Sequence, residues 1–248
     1  MQLKDFFIAD PSFALAFSGG VDSSYLLYEA VKCGADVKAY YIKTAFQPSF
    51  ELRDARNIAS LIGARLAVVE LDVLDNPHIV ENTPDRCYYC KRGIIAAIAQ
   101  KAAPDGYKLI IDGTNASDDA QDRAGMRALA DMAVRSPLRE CGYTKDKIRE
   151  LSKAAGLPTW DKPAYACLAT RIPAGRAITA QLLSKIEQAE EILFSMGYSD
   201  FRVRIAGDAA KLQFTSAQLA DAFDKREEIV IKLKQLFASV LLDLEHRI

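Results

Sequence analysis

The stretch of this chain best suited to chemistry is residues 18–23, with the sequence SGGVDS. It follows an apolar run at residues 13–17 and precedes a segment with helical patterning at residues 24–33. Backbone N–H groups at the start of a helix favour negative charge, and two glycines let the backbone approach an anion closely. The two serines add hydroxyl donors, and Asp22 beside a phosphate indicates a Mg²⁺ ion between them. The stretch therefore predicts a phosphate cradle.

Three of the five cysteines form a second candidate for chemistry. Cys87 and Cys90 make a CxxC, and Cys167 lies in an irregular segment between basic residues. A CxxC alone fits zinc, an iron–sulfur cluster or a redox pair. Structural zinc normally needs four Cys or His ligands, and the chain has only two histidines. Three thiolates fit a [4Fe–4S] cluster with one iron left free for a sulfide. The alternative is three unrelated thiols, and Cys33 is expected to be a small core residue.

The alternation Arg202, Val203, Arg204 places two guanidinium groups on one face of a predicted strand. Such a pair suits a phosphate, and a solvated strand face is the alternative. Lys91 and Arg92 follow the CxxC directly. They are equally compatible with holding phosphate or carboxylate groups and with a solvated helix face.

The elements that must position these residues alternate along the first two-thirds of the chain. Strand-like runs occur at 14–17, 37–42, 66–71 and 108–111, with helical patterns at 23–33, 50–62 and 91–102. This alternation predicts an α/β fold with a parallel sheet and helices on both faces, whose ligands bind at the carboxyl ends of the strands. The pattern changes after residue 175. A helix, two strands and a helical region then predict a small α+β domain, so domains are expected at 1–175 and 176–248.

Composition limits the class of protein. The chain has 248 residues, is half apolar and a quarter charged, and has a formal net charge of −1. This balance shows no basic field for nucleic acid. No apolar run is long enough for a membrane span and the first residues do not resemble a signal peptide, so a cytoplasmic protein without a membrane partner is expected.

Residues 18–23 resemble the SGGxDS loop of the PP-loop ATP pyrophosphatases, which hold the pyrophosphate of ATP and transfer AMP to a substrate oxygen. Together with five further motifs, they make nearly the whole chain similar to the LarE family of ATP-dependent sulfur transferases. Those motifs are ENTPDRCYYCKR (81–92), IIDGTN (110–115), SPLRE (136–140), LPTWDKPAYACLATRIPAG (157–175) and FRVRI (201–205). Gln213 departs from the family, which frequently has Glu there.

The resemblance implies an enzyme that adenylates a carboxylate of pyridinium-3,5-biscarboxylic acid mononucleotide and replaces its oxygen with sulfur. Cys87, Cys90 and Cys167 match the subtype that carries a [4Fe–4S] cluster, whereas another subtype sacrifices the sulfur of a single cysteine. The family also implies a homo-oligomer and a supply of sulfide or a sulfur donor protein.

Site roles are implied in the same way. Cys167, Asp22 and Arg171 are the catalytic candidates. Arg202, Arg204 and Lys91 are candidates for the substrate phosphate, and Glu190 for substrate or metal. The candidate contacts to ATP and its Mg²⁺ are Ser18, Gly19, Gly20, Asp22, Ser23, Asp112, Gly113 and Arg123.

Three other functions are compatible with the nucleotide loop. A tRNA thiolation enzyme of the same superfamily also pairs the loop with three cysteines, but it should carry RNA-binding modules or a basic face. An ammonia-using synthetase would make the cysteines structural. A non-catalytic regulator would bind ATP without forming pyrophosphate.

Overall fold

The computed structural model describes residues 2–118 and 123–247, with only the backbone of Arg123. The chain separates into two compact units. The first comprises Met1–Val73 and Pro84–Lys162, and the second comprises Leu74–Thr83 and Pro163–Ile248. Each unit has its own sheet.

A four-stranded parallel sheet forms the centre of the first unit. Its order is β3-β2-β1-β4. The strands are β1 (Ser12–Ala16), β2 (Asp36–Lys43), β3 (Arg65–Glu70) and β4 (Ile110–Asp112). The helices of this unit are α1 (Leu3–Ala9), α2 (Val21–Lys32), α3 (Ser49–Ile62), α5 (Arg86–Ala102), α6 (Arg123–Asp131), α7 (Pro137–Glu140) and α8 (Lys145–Ala154).

Apolar side chains bury both faces of this sheet. Phe13 and Leu15 of β1 pack into a core with α1, α2, α3 and α8. Ala14, between them, faces a second core built with α5 and α6. Successive residues of a strand point to opposite faces, so one strand serves both cores. The predicted α/β parallel sheet with helices on both faces is confirmed.

The second unit holds a three-stranded sheet in the order β5-β6-β7. Strands β5 (Arg202–Ala206) and β6 (Ala209–Gln213) are antiparallel, and β7 (Ser239–Leu242) runs parallel to β6. Its helices are α4 (Pro77–Val80), α9 (Ala180–Ser195), α10 (Ser216–Asp224) and α11 (Arg226–Leu233), with a 3₁₀ turn at Leu168–Arg171. This mixture is the predicted α+β arrangement.

The boundary between the units differs from the expected one at residue 175. The second unit begins at Pro163 and also includes Leu74–Thr83. Asn82 shows the reason, because its side-chain amide donates to the carbonyls of Ile172 and Pro173 at 3.3 and 2.8 Å. These contacts join two stretches that are distant in sequence, which a change in local pattern cannot reveal.

Two elements differ in extent from the sequence-based expectation. Helix α5 begins at Arg86 rather than at residue 91, so the CxxC is helical. The helical region at 216–236 is two helices that meet at Lys225. In the part of the chain that is described, no helix has the length and apolarity needed to cross a membrane.

Candidate active site

Gly19 shapes the loop between β1 and α2. Its φ is +72°, and a Cβ at this position would lie 2.9 Å from both the Cα and the Cβ of Ala55 on α3. Helix α2 then begins at Val21 with Gly20 as its N-cap, and no side chain caps it. The first N–H groups of α2 therefore keep their capacity to bind an anion.

The hydroxyls of Ser18 and Ser23 make hydrogen bonds within the loop. Ser18 Oγ and Ser23 Oγ lie 3.1 Å apart, and the Gly20 N–H donates to Ser18 Oγ at 3.3 Å. Ser23 Oγ also donates to the carbonyl of Gly20 at 3.4 Å. The hydroxyls thus lie beside the uncapped helix start, where the sequence predicts phosphate donors.

Replacing Gly19 by alanine is expected to cost more stability than the same change at Gly34. Both glycines have φ above +70°, but a Cβ at Gly34 meets nothing within 4 Å. Gly34→Ala therefore measures the backbone strain alone, about 1–2 kcal/mol, and Gly19→Ala adds overlap with α3. Urea unfolding of both variants checks this, and equal losses would contradict the close approach to Ala55.

The end of β4 lies beside the end of β1. Asp112 is in register with Ala16, and a Cβ on Gly113 would lie 2.9 Å from the backbone nitrogen of Ser23. The buried Asp112 carboxylate accepts from the hydroxyls of Ser136 and Thr114, both at 2.6 Å. These bonds stabilise the turn that places Gly113 against the loop between β1 and α2.

Asp22 pairs with a residue that the sequence-based reasoning missed. Its Oδ2 lies 2.5 Å from Nζ of Lys145, the first residue of α8, and its Oδ1 accepts from Asn115 Nδ2 at 3.3 Å. Burial raises the pKa of Asp22, and Lys145 opposes that rise. A carboxylate beside a helix start fits a Mg²⁺ ion in its chemistry, and the ion would exchange with the Lys145 ammonium.

Cys87 and Cys90 lie near the start of α5. Residues three apart share a face of a helix, so the two half-buried thiols form a pair. Tyr88, between the two cysteines, contacts helix α6. Its hydroxyl donates to Asp131 at 2.7 Å, and the Arg127 guanidinium lies 4.3 Å from the centre of its ring. This geometry suits two ligands of one metal centre.

In the second unit, three arginines hold the segment around Cys167 by its backbone carbonyls. We call residues 163–170 the Cys167 loop. Arg202 Nη2 donates to Ala164 O at 2.7 Å, and Arg204 Nη1 donates to Thr170 O at 2.7 Å. Arg171 Nη1 donates to the carbonyl of Ala166, the residue before the cysteine, at 2.8 Å. Cys167 itself is half-buried and precedes the 3₁₀ turn.

Glu190 and Arg171 form a buried ion pair inside this unit. Arg171 Nε lies 2.8 Å from Glu190 Oε1, and the two side chains are 0% and 2% exposed. Glu190 also accepts from Arg171 Nη2, from the Val203 N–H and from the Tyr165 hydroxyl. Its four acceptor positions are therefore used within the protein. A metal at Glu190, or a substrate at Arg171, would have to displace one of these bonds.

The predicted site residues thus form one group in each unit. The first contains the serines, glycines and Asp22 of the loop with Asp112 and Gly113, and the second contains Cys167, Arg171, Glu190, Arg202 and Arg204. Lys91 is half-buried on α5. The Arg123 side chain lies outside the described residues. Cys33 was expected in the core, but it is exposed, because α2 ends there and Cys33 is its C-cap.

Among the residues that the structure describes within either unit, no three His, Cys, Asp or Glu side chains lie close enough together to hold a metal ion. Cys87 and Cys90 belong to the first unit and Cys167 to the second. The [4Fe–4S] cluster and the Mg²⁺ ion therefore remain predictions. Their support is the chemistry of the donor groups, namely the two thiols of the CxxC and the Asp22 carboxylate at the uncapped start of α2.

Two residues that contact the predicted site residues, Lys145 and Tyr165, were not found from sequence. Lys145 follows the helix cap Thr144, a signal that marks a helix start and says nothing about its neighbours. Tyr165 lies within the family-like motif, but only the fold places its ring 4.7 Å from the Arg171 guanidinium and 5.4 Å from that of Arg202.

The parallel sheet, with its glycine loop after β1, is that of a PP-loop ATP pyrophosphatase. A tRNA-specific 2-thiouridylase of Pseudothermotoga lettingae is 27% identical to this chain over 187 residues, which cover 60% of this chain and 53% of that enzyme. No family model matches the chain.

More extensive similarity identifies the family. The pyridinium-3,5-bisthiocarboxylic acid mononucleotide synthase of Lactiplantibacillus plantarum is 32% identical over 233 residues, covering 93% of this chain and 84% of that protein. An uncharacterised protein of a Synechocystis strain is 35% identical over 222 residues, covering 88% and 82%. The chain belongs to the LarE family. It is an ATP-dependent sulfurtransferase.

Proposed function

We propose that this enzyme adenylates a carboxylate of pyridinium-3,5-biscarboxylic acid mononucleotide and replaces one of its oxygens with sulfur. The observation that carries the proposal is the similarity to the bisthiocarboxylic acid mononucleotide synthase along 93% of the chain. The similarity covers nearly the whole chain, and this chain carries the glycine loop at 18–23, the CxxC and the Cys167 loop that resemble motifs of the family.

The first unit is suited to the adenylation step. A substrate carboxylate oxygen attacks the α-phosphorus of ATP, and pyrophosphate leaves with the bonding electrons. The start of α2 and the Ser18 and Ser23 hydroxyls would hold the departing pyrophosphate. Asp22 would hold Mg²⁺, which screens the phosphate charges. Lys145 would then be released towards the same phosphates.

Sulfur transfer follows from the mixed anhydride. A sulfide attacks the activated carbonyl carbon, and AMP departs with the oxygen that came from the carboxylate, which leaves a thiocarboxylate. A [4Fe–4S] cluster with Cys87, Cys90 and Cys167 as ligands would supply that sulfide. Arg171 holds the Cys167 backbone, so its contribution is to the position of the thiol.

The substrate phosphate is assigned to Arg202 and Arg204. Arg171 is neutralised by Glu190, whereas Arg202 and Arg204 donate hydrogen bonds to backbone carbonyls and to Gln213. The carboxylate of Asp200 lies 4.0 Å from Arg202 Nη1, beyond hydrogen-bond distance. Burial, with repulsion from Arg171, lowers the pKa of Arg202 to about 10. An added phosphate dianion would relieve this excess positive charge. Lys91 is a further proposed phosphate contact.

The proposal also includes a source of sulfide, which is either free sulfide or a sulfur donor protein. It further includes assembly of the chain into a homo-oligomer.

Substrate-dependent pyrophosphate formation tests the proposed acceptor. With ATP and Mg²⁺, the biscarboxylic mononucleotide is expected to stimulate pyrophosphate release, and the same molecule without its phosphate is expected to do so far less. Stimulation by tRNA instead would favour thiolation of RNA, the function of the partial relatives. Incorporation of ammonia would favour an amidating synthetase. ATP binding with no pyrophosphate from any acceptor would indicate a regulator.

A further inference from the structure

The Arg202 guanidinium is covered by the Cys167 loop. Arg202 is only 5% exposed, and it contacts the Ala164 carbonyl and lies near the Tyr165 ring. Arg204, its partner on β5, is exposed. A phosphate can therefore reach Arg204 directly, but it can reach the Arg202 fork only if Ala164 withdraws.

The contacts of the two arginines bracket the cysteine. Ala164 and Thr170, the acceptors for Arg202 and Arg204, each lie three residues from Cys167. Both acceptors are neutral carbonyls, whereas a phosphate carries the opposite charge and can accept two parallel hydrogen bonds from one guanidinium. A phosphate would thus compete effectively with the loop for both guanidinium groups.

We infer that Arg202 and Arg204 form a latch that holds the Cys167 loop until an organic phosphate takes the place of Ala164 O and Thr170 O. This inference rests on the proposed function, which assigns the substrate phosphate to the same pair. Substrate binding would then release the Ala164 end of the loop and the Thr170 carbonyl, and it would make the Cys167 thiol more accessible when an acceptor is present.

Arg171 is the fixed point about which the loop moves. Its guanidinium is fully buried against Glu190 and keeps its bond to the Ala166 carbonyl. Exchange of this pair for phosphate would leave Glu190 as a buried charge without its partner, which is strongly unfavourable. The loop is therefore expected to open at its Ala164 flank and to lose the bond at the Thr170 carbonyl, while Arg171 still holds the Ala166 carbonyl and, at 2.9 Å, the Thr170 hydroxyl.

Alkylation of cysteines in the full-length protein, without cluster, tests the latch. Inorganic phosphate at constant ionic strength is the probe, and mass spectrometry follows each cysteine peptide at fixed pH. Phosphate is expected to raise the rate at Cys167 by about tenfold, the effect of losing roughly one hydrogen bond to a charged group. The exposed Cys33 should keep its rate.

Variants separate the latch from general loosening. Arg204→Gln is expected to raise the Cys167 rate without phosphate and to abolish the response. Arg176→Gln is the matched control, because Arg176 also donates to a carbonyl, that of Gly207 at 2.8 Å, but not to the Cys167 loop. It should behave as the unmodified protein, with equal thermal stability confirming that both variants fold.

Calorimetric measurement of phosphate binding distinguishes failure of the latch from failure of the proposed phosphate site. Binding that requires Arg204 but leaves the Cys167 rate unchanged would overturn the latch and leave the proposed phosphate site intact. A phosphate-induced decrease at Cys167 would also overturn the latch. No phosphate binding would remove both the latch and the assignment of the phosphate to this pair, while adenylation could still be measured independently.

Discussion

Cys167→Ala is expected to abolish sulfur transfer while substrate-dependent pyrophosphate formation persists. The residue lies in the second unit, and the phosphate loop and Asp22 in the first are untouched. Loss of an essential reacting group lowers turnover by on the order of 10³-fold or more. The alanine should be tolerated structurally, because the Cys167 side chain does not cap the 3₁₀ turn it precedes. Thiocarboxylate and pyrophosphate measured in the same reaction check the prediction.

Cys141→Ala is the matched control for this change. Cys141 is half-buried in the first unit, and burial raises the pKa of its thiol, so it stays protonated and unreactive. This variant should retain sulfur transfer. Equal activity of Cys167→Ala and Cys141→Ala would contradict the proposed role of Cys167.

Replacement of Cys87 or Cys90 by alanine distinguishes the two sulfur routes. If the three cysteines hold a cluster, each variant is expected to lose the visible absorbance of the reconstituted cluster and repeated turnover with sulfide. If Cys167 alone is sacrificed, both variants should still make one thiocarboxylate per chain and leave dehydroalanine at residue 167. The second outcome would contradict the cluster proposal.

Glu190→Gln is expected to cause the largest loss of stability among the site variants. It leaves the Arg171 cation buried without a counter-charge, and breaking a buried pair costs about 3–5 kcal/mol. Glu191→Gln is the control, because Glu191 is exposed on the same helix and should change stability by about 0.5 kcal/mol or less. Denaturant unfolding followed by circular dichroism measures both.

The double variant Arg171→Met/Glu190→Leu sharpens this test. Removing both charges eliminates the buried unpaired ion, so the double variant is expected to be more stable than Glu190→Gln. It should nevertheless lose activity, because the Ala166 carbonyl loses its donor. Glu190→Gln with the stability of Glu191→Gln would contradict the structural role assigned to the pair.

Local sequence patterns predicted the sheet and the glycine turn between β1 and α2 well. The period of apolar residues defines strands and helices, and glycine at residue 19 is demanded by a local backbone conformation. The proximity of residues 112–115 to the loop after β1 followed from the same logic, since carboxyl ends of adjacent parallel strands meet at one edge. These features are predictable because they depend on the order and length of neighbouring segments, which the sequence gives directly.

The burial of single polar residues could not be predicted in the same way. Glu190 stands beside the exposed Glu191, and sequence alone allowed an exposed position for both. Its partners, Arg171 and Tyr165, come from a distant irregular segment. The Asp22–Lys145 pair likewise joins residues 123 positions apart. Long-range packing decides these contacts.

The most direct test of the central claim is the mass of the product. The full-length protein is reconstituted anaerobically with iron and sulfide and incubated with ATP, Mg²⁺, sulfide and the biscarboxylic mononucleotide. We predict a product in which sulfur replaces a carboxylate oxygen, formed together with AMP and pyrophosphate. An unchanged mononucleotide under conditions where ATP is cleaved to AMP and pyrophosphate would contradict sulfur transfer to this substrate.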